Sequence, residues 1–140
     1  MSDSATIQLP SIAILGAGSM GRAILSGLCA PGVQVAGGIR VTNRLAERAA
    51  EFANIPEITA FAKENEPDAN TKAVSGAGIV IIAVKPAMVP DLLDEIASSL
   101  MPGAIVLSVA AGVTTATCEA HLPEMVSVIR SMPNTPAIVG

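Results

Sequence analysis

The sequence predicts an α/β fold organised around a doubly wound, mainly parallel sheet, and three observations lead there. Apolar runs of strand length alternate with helical segments along most of the chain. The run Ile79-Val80-Ile81-Ile82-Ala83-Val84 is apolar without interruption, as a central strand covered on both faces requires. The spacing Gly16-x-Gly18-x-x-Gly21 falls where the first such strand ends and the first helix begins. Together they specify a Rossmann-type sheet in a single domain, a size that suits 140 residues of which 51% are hydrophobic.

Residues 1–10 read as a disordered amino-terminal tail: Ser2 to Gln8 is small and polar apart from one Ile, and the fold, residues 11–140, begins near Pro10. The first βα unit is a strand over Ser11 to Gly16 and a helix over Met20 to Cys29, followed by a strand over Gly38 to Thr42 and a helix over Leu45 to Phe52. A short strand spans Ile58 to Ala60, and the charged, Pro67-bearing stretch Phe61 to Ala69 reads as a surface excursion before a helix starting at Asn70 or Thr71. After the apolar strand come a helix over Val89 to Leu100, opened by Pro86 and Pro90, a strand over Ala104 to Val109, a helix over Thr115 to His121 and a strand over Val126 to Ile129.

Composition excludes several function classes. With no Trp or Tyr, and eight Lys plus Arg against twelve Asp plus Glu, the chain lacks both the stacking platforms and the basic surface of a nucleic-acid binder. Its apolar runs fall far short of the roughly 18 residues that cross a bilayer, so no membrane partner is expected. Met1 to Pro10 carries no basic, then apolar, leader pattern, which gives a cytoplasmic address by default. Cys29 and Cys118 are far apart, in helical segments and without metal-ligand spacing, so both are expected to be reduced and packed, with no metal site. His121 lies late in a helix with no acidic partner at an informative spacing and reads as structural.

The chemistry concentrates at predicted strand ends. In Gly16-Ala17-Gly18-Ser19-Met20-Gly21 the first glycine permits the tight turn, the second lets a pyrophosphate approach bare backbone, and the third lets the helix pack closely on the strand. Dinucleotide-binding sites that prefer NAD place Asp or Glu at the end of the second strand to bind the ribose hydroxyls. That strand here ends Val41-Thr42-Asn43-Arg44, with no carboxylate. Asn43 can donate to a ribose phosphate and Arg44 can pair with its dianion, which favours NADPH, with NADH bound more weakly. Arg48, one turn on, reads as surface.

Ala83-Val84-Lys85-Pro86 closes the apolar strand at the sheet edge where such folds place ligands. Lys85 there can serve as a general acid, a phosphate or substrate contact, or a helix-edge charge, and the residues alone leave these open. In Ser108-Val109-Ala110-Ala111-Gly112-Val113-Thr114, small residues would let a flat nicotinamide ring lie against backbone, or simply pack tightly. In Arg130-Ser131-Met132-Pro133-Asn134-Thr135-Pro136, two prolines can aim Asn134 into the cleft, and Asn134 can equally cap the turn.

These four motifs, in this order and at these spacings, resemble pyrroline-5-carboxylate reductase over nearly all of Ile12 to Gly140. The resemblance implies NADPH-dependent reduction of 1-pyrroline-5-carboxylate to L-proline, the last step of proline synthesis, with hydride delivered to the imine carbon. It places cofactor contacts on Gly16 to Gly21, on Asn43 and Arg44, on Ala83 to Pro86 and on Val109 to Ala111, with Asn134 beside the nicotinamide. It adds Asn70 on the adenosine side, a residue that also reads as a simple helix N-cap. No residue here is assigned to acid or base catalysis.

The family continues into a helical carboxy-terminal domain that forms the homodimer and completes the substrate site. The resemblance therefore implies a sheet incomplete at its carboxyl end, exposed apolar surface, and a chain inactive by itself. Gly78, where relatives commonly carry Asp, and the long Phe61 to Ala69 excursion depart from the family pattern. Two other readings stay open: a non-catalytic NADP-binding fragment, and another NADP-linked imine or hydroxyacid reductase, which the Ala83 and Arg130 motifs disfavour.

Overall fold

A computed structural model describes residues 7–16, 18–52 and 54–131, with Ser19 by its backbone alone. Ala17 and Asn134 lie outside the described residues. The elements run β1 (Ile7–Leu9), β2 (Ile12–Leu15), α1 (Ser19–Leu28), β3 (Val33–Val35), β4 (Ile39–Asn43), α2 (Ala46–Ala50) and β5 (Ile58–Ala62). They continue with α3 (Ala69–Val74), β6 (Ile79–Ile82), α4 (Val89–Ile96), β7 (Ile105–Ser108), α5 (Thr115–Ala120) and β8 (Ser127–Arg130).

Six strands form one sheet in the order β5-β4-β2-β6-β7-β8, every pair parallel. The order reverses between β2 and β6: the chain steps outward from β2 through β4 to β5, then crosses back to start the other half at β6. A reversal of this kind leaves a crevice at the carboxyl ends of the two central strands, because their crossover helices leave on opposite faces.

The register explains why the central strands are apolar at every position. Ile58, Ile39, Ile12, Ile79 and Ile105 stand in one row across five strands. The first four of these, with Val41, Ile14 and Ile81 two residues on, form one layer with Leu25 of α1 and Phe52 just after α2. The alternate positions, Ala13, Leu15, Val80, Ile82 and Val106, face α3, α4 and α5 and pack on Val74, Leu93, Ile96 and Cys118. Burying each large aliphatic side chain contributes about 1.5–3 kcal/mol, so the α3–α5 layer, which buries more of them, contributes the larger share.

Three sequence expectations are corrected. Ile7–Leu9 belongs to a strand, not to the tail, because it pairs in parallel with Val33–Val35 in a separate two-stranded sheet. These strands are three residues long and largely solvent-facing, so neither has the apolar run that marks a strand in sequence. Cys29 is exposed at the carboxyl end of α1 rather than packed, whereas Cys118 is buried. His121 does have an acidic partner: its Nδ1 lies 2.7 Å from Asp94 Oδ1, on α4 and 27 residues away.

Gly78 has a local reason. A Cβ there would stand 2.7 Å and 2.9 Å from two carbons of the Pro10 ring, so this chain has no room for the Asp expected of relatives. The exposed large apolar residues among those described are Ile7, Met88, Met101, Met125 and Ile129. No helix among the described residues is long and apolar enough to cross a membrane.

Candidate active site

Hydrogen bonds that overrun the strands bring the carboxyl ends level. Gly16 N–H donates to the Thr42 carbonyl at 3.1 Å, Ala83 N–H to Leu15 at 2.9 Å, Val109 N–H to Ile82 at 3.1 Å and Ser131 N–H to Ser108 at 2.8 Å. The motifs beginning at Gly16, Asn43, Ala83, Val109 and Ser131 therefore emerge along one edge of the sheet. Pairing past the last strand residue costs the loops their freedom, and a rigid edge is what a bound planar molecule needs.

At the centre of that edge Gly16 has φ +85°, a left-handed conformation that favours glycine. A Cβ on it would stand 2.6 Å from Val84 Cγ1 and 3.2 Å from the Ala83 carbonyl atoms, so the turn after β2 touches the turn after β6. Gly18 is different in kind: it is exposed, and a Cβ there would meet nothing within 4 Å. The loop thus opens onto free space directly in front of α1.

Gly18 is the N-cap of α1 and brings no capping side chain, and no acidic residue lies in the first turn. The amide groups and positive end of this ten-residue helix are left for something else to satisfy. Gly21 is buried inside α1, as close helix–sheet packing requires, and Met20 is half-buried.

Beneath the loop, Thr42 and Asn70 are both buried, at 3% and 6% exposure, and Thr42 Oγ1 donates to Asn70 Oδ1 at 2.8 Å. Gly16 N–H also approaches the same Thr42 oxygen, at 3.4 Å. Asn70 is therefore not a helix N-cap. Asp68 holds that position, and Asn70 braces α3 against β4 and, through Thr42, against the glycine turn.

The β4 tip carries polar groups with nothing to bind among the described residues. Asn43 Nδ2 is buried without a hydrogen-bond partner. Arg44 is exposed and makes no ion pair among the described residues, whereas Arg22 pairs with Glu51 and lies 5.8 Å over the Phe52 ring. Sequence reasoning missed Glu64: its N–H donates to the Arg44 carbonyl at 3.1 Å, and its carboxylate accepts from Ala46 N–H at the start of α2. Only the long excursion before α3 hinted at a role for that segment.

On the other half, Lys85 is exposed and unpaired among the described residues, at the head of a single 3-10 turn over Pro86–Met88. Val109 is half-buried, Ala110 buried and Ala111 exposed, with Ala110 N–H donating to the fully buried Ser108 Oγ at 3.3 Å. The described expected site residues thus fall into two groups on one edge. The Gly16 loop, Asn43 and Arg44 stand at the β2–β4 side; Ala83 to Pro86 and Val109 to Ala111 stand at the β6–β7 side. Asn70 lies below the first group as a brace.

Comparison with known proteins fits this geometry. Residues 11–112 match the family described as NADP oxidoreductase, coenzyme F420-dependent. A pyrroline-5-carboxylate reductase of Pseudomonas aeruginosa is 36% identical over 130 residues, 93% of this chain and 45% of that protein. The solved pyrroline-5-carboxylate reductase of Coxiella burnetii superposes with a TM-score of 0.76 at 31% identity, over 91% of this chain and 45% of that one. A Plasmodium falciparum pyrroline carboxylate reductase with NADP bound shares the fold, with a TM-score of 0.66 at 16% identity over 92% of this chain and 44% of that one. The chain spans under half the length of each.

Proposed function

Because the chain belongs to the NADP oxidoreductase, coenzyme F420-dependent family, we propose that its carboxyl edge binds NADPH, with NADH bound more weakly. The observation that carries this reading is the Gly18 loop: bare backbone facing open space, at the strand-order reversal, ahead of a helix whose first turn has no side-chain cap. That is a cradle for a pyrophosphate, since an anion there gains unsatisfied N–H groups and the helix dipole without displacing any side chain.

In this reading Gly16 to Gly21 hold the pyrophosphate. Asn43 and Arg44 take the ribose phosphate; among the described residues the buried Asn43 amide has no hydrogen-bond partner and the exposed Arg44 no ion pair. Ala83 to Pro86 and Val109 to Ala111 wall the nicotinamide half, small side chains letting a flat ring lie close. Asn134, outside the described residues, is proposed beside that ring. Asn70 contributes through Thr42, by keeping the glycine turn in place. Bound NADPH supplies the hydride; the protein's contribution is to fix the reactive face and exclude alternative orientations.

The whole protein is proposed to reduce 1-pyrroline-5-carboxylate to L-proline, a step of proline biosynthesis, as a homodimer or higher oligomer. This chain is then its cofactor domain, and the substrate contacts come from elsewhere. The reading rests on the pyrroline-5-carboxylate reductases of Pseudomonas aeruginosa and Coxiella burnetii, and on the chain's spanning 45% of the length of each. A soluble, cytoplasmic location accords with that role.

The test is titration with NADPH, followed by the emission of the reduced nicotinamide, which a chain without Trp or Tyr leaves unobscured. Saturable binding that weakens about tenfold or more in Arg44→Ala is the expected result, the loss of a charge-assisted pair. A folded chain that binds neither NADPH nor NADH refutes the cofactor reading.

A further inference from the structure

The end of β4 lacks the carboxylate that NAD-preferring sites use, yet the fold delivers one to that place from a different strand. Glu64 follows β5, and two ties fix it: its N–H on the Arg44 carbonyl at 3.1 Å and its Oε2 on the Ala46 amide. Lys63 N–H, donating to the Asn43 carbonyl at 2.8 Å, extends the same ladder. Residue 64 therefore grips the chain on both sides of Leu45, and its carboxylate is held within two residues of Arg44. Glu64 is exposed, and its second oxygen, Oε1, has no hydrogen-bond partner among the described residues.

We propose that Glu64 is a specificity-determining residue for the adenosine ribose of the bound dinucleotide, opposing Arg44. The proposal rests on the cofactor reading above. Arg44 attracts a 2′-phosphate dianion; the fixed Glu64 carboxylate repels it and offers Oε1 as an acceptor to the 2′-hydroxyl of NADH. The discrimination Arg44 provides is reduced accordingly, and the tip accepts both dinucleotides. The effect is electrostatic between exposed groups, so it weakens once the screening length, about 8 Å at physiological salt, falls toward their separation.

The experiment measures dissociation constants for NADPH and NADH in the parent chain, Glu64→Gln, Glu64→Ala and Arg44→Ala, at low and at high salt. Glu64→Gln is nearly isosteric and keeps an acceptor for the Ala46 amide; far-UV circular dichroism checks that each variant is folded. The preference for NADPH over NADH is expected to rise about three- to tenfold in Glu64→Gln at low salt, a change of at most one decade, about 1.4 kcal/mol. It is expected to shrink at high salt and to fall in Arg44→Ala. Glu64→Ala should raise the preference likewise, so the result does not depend on one variant's stability. A preference unchanged or lowered in both Glu64 variants, with Arg44→Ala still lowering it, overturns the role of Glu64 and leaves the cofactor reading standing. A preference indifferent to all three substitutions overturns the roles of Glu64 and Arg44 alike, whereas a folded parent chain that binds neither dinucleotide overturns the cofactor reading itself.

Discussion

Two glycines three-dimensionally adjacent in one loop should respond to the same substitution in opposite ways. In Gly16→Ala the new Cβ enters a left-handed backbone at φ +85° and stands 2.6 Å from Val84 Cγ1, with the Ala83 carbonyl at 3.2 Å. The conformational cost is about 1–2 kcal/mol for a residue with a side chain. Methyl contact belongs near 3.5–4.0 Å, so Val84 or the β6 turn must shift, at the roughly 1–3 kcal/mol typical of overpacking. The sum, about 2–5 kcal/mol, is a large share of an ordinary domain's stability of about 5–15 kcal/mol. For a chain this long it lowers the melting midpoint by about 8–20 °C.

Gly18→Ala meets nothing within 4 Å and needs no positive φ, its backbone lying at φ −84°. Its stability cost should stay under about 1 kcal/mol, that of a poorer N-cap. Yet it should weaken NADPH binding at least tenfold, because the methyl takes space the pyrophosphate needs. Urea unfolding followed by far-UV circular dichroism, paired with the NADPH emission titration, separates the two effects. A Gly16→Ala chain within about 1 kcal/mol of the parent would refute the packing argument. Undiminished binding by Gly18→Ala would show that no ligand approaches that backbone.

Other substitutions probe the supports. Asn70→Ala leaves the buried Thr42 hydroxyl without its acceptor and should cost about 1–3 kcal/mol; a Thr42→Val/Asn70→Ala double-mutant cycle in urea should return a coupling above about 0.5 kcal/mol. Gly78→Asp drives its Cβ into the Pro10 ring and should destabilise by about 1–3 kcal/mol, with only partial recovery when combined with Pro10→Ala, which removes the Cγ at 2.9 Å but keeps the Cβ at 2.7 Å. Burial first, then Glu119, holds the Cys118 thiol above its ordinary 9.0. A folded-state value raised above the unfolded one stabilises fully below that ordinary value and is lost as pH climbs through the raised one. Stability should therefore decline above about pH 9 less steeply in Cys118→Ala, and a thiol reagent should modify exposed Cys29 in the folded chain while Cys118 reacts only on unfolding.

What was legible in the sequence is what short-range physics writes there. The all-apolar run Ile79 to Val84 announced a strand covered on both sides, and the register shows why: Ile79 and Ile81 serve one helical layer, Val80 and Ile82 the other. The glycine spacing announced the loop because positive φ and missing Cβ atoms are properties of single residues. β1 and β3 were illegible because strands of three partly exposed residues carry no period to detect. The ties between distant segments were equally hidden. Nothing at Thr42 points 28 residues ahead to Asn70, and nothing at His121 points 27 residues back to Asp94.

Those hidden ties are not scattered at random, and their placement bears on how such a site acquires selectivity. Arg40 donates to the Ser75 carbonyl at 2.5 Å and so fastens the end of α3 to β4, favourably at a helix C-terminus. Asn70 fastens the start of the same helix to Thr42, and Glu64 fastens the start of α2 to the chain around Arg44. All converge on β4, whose tip is proposed to read the ribose. The glycine loop needs only backbone to hold a pyrophosphate, so its chemistry is fixed by a local pattern. The ribose reader depends on where charged and amide groups from three segments come to rest. Changes of cofactor preference should therefore arise from substitutions along residues 63–72 at least as readily as from the β4 tip itself. Arg44→Ala made in a Glu64→Gln background would show it: if the two effects on NADPH preference are not additive, the positions act as one unit.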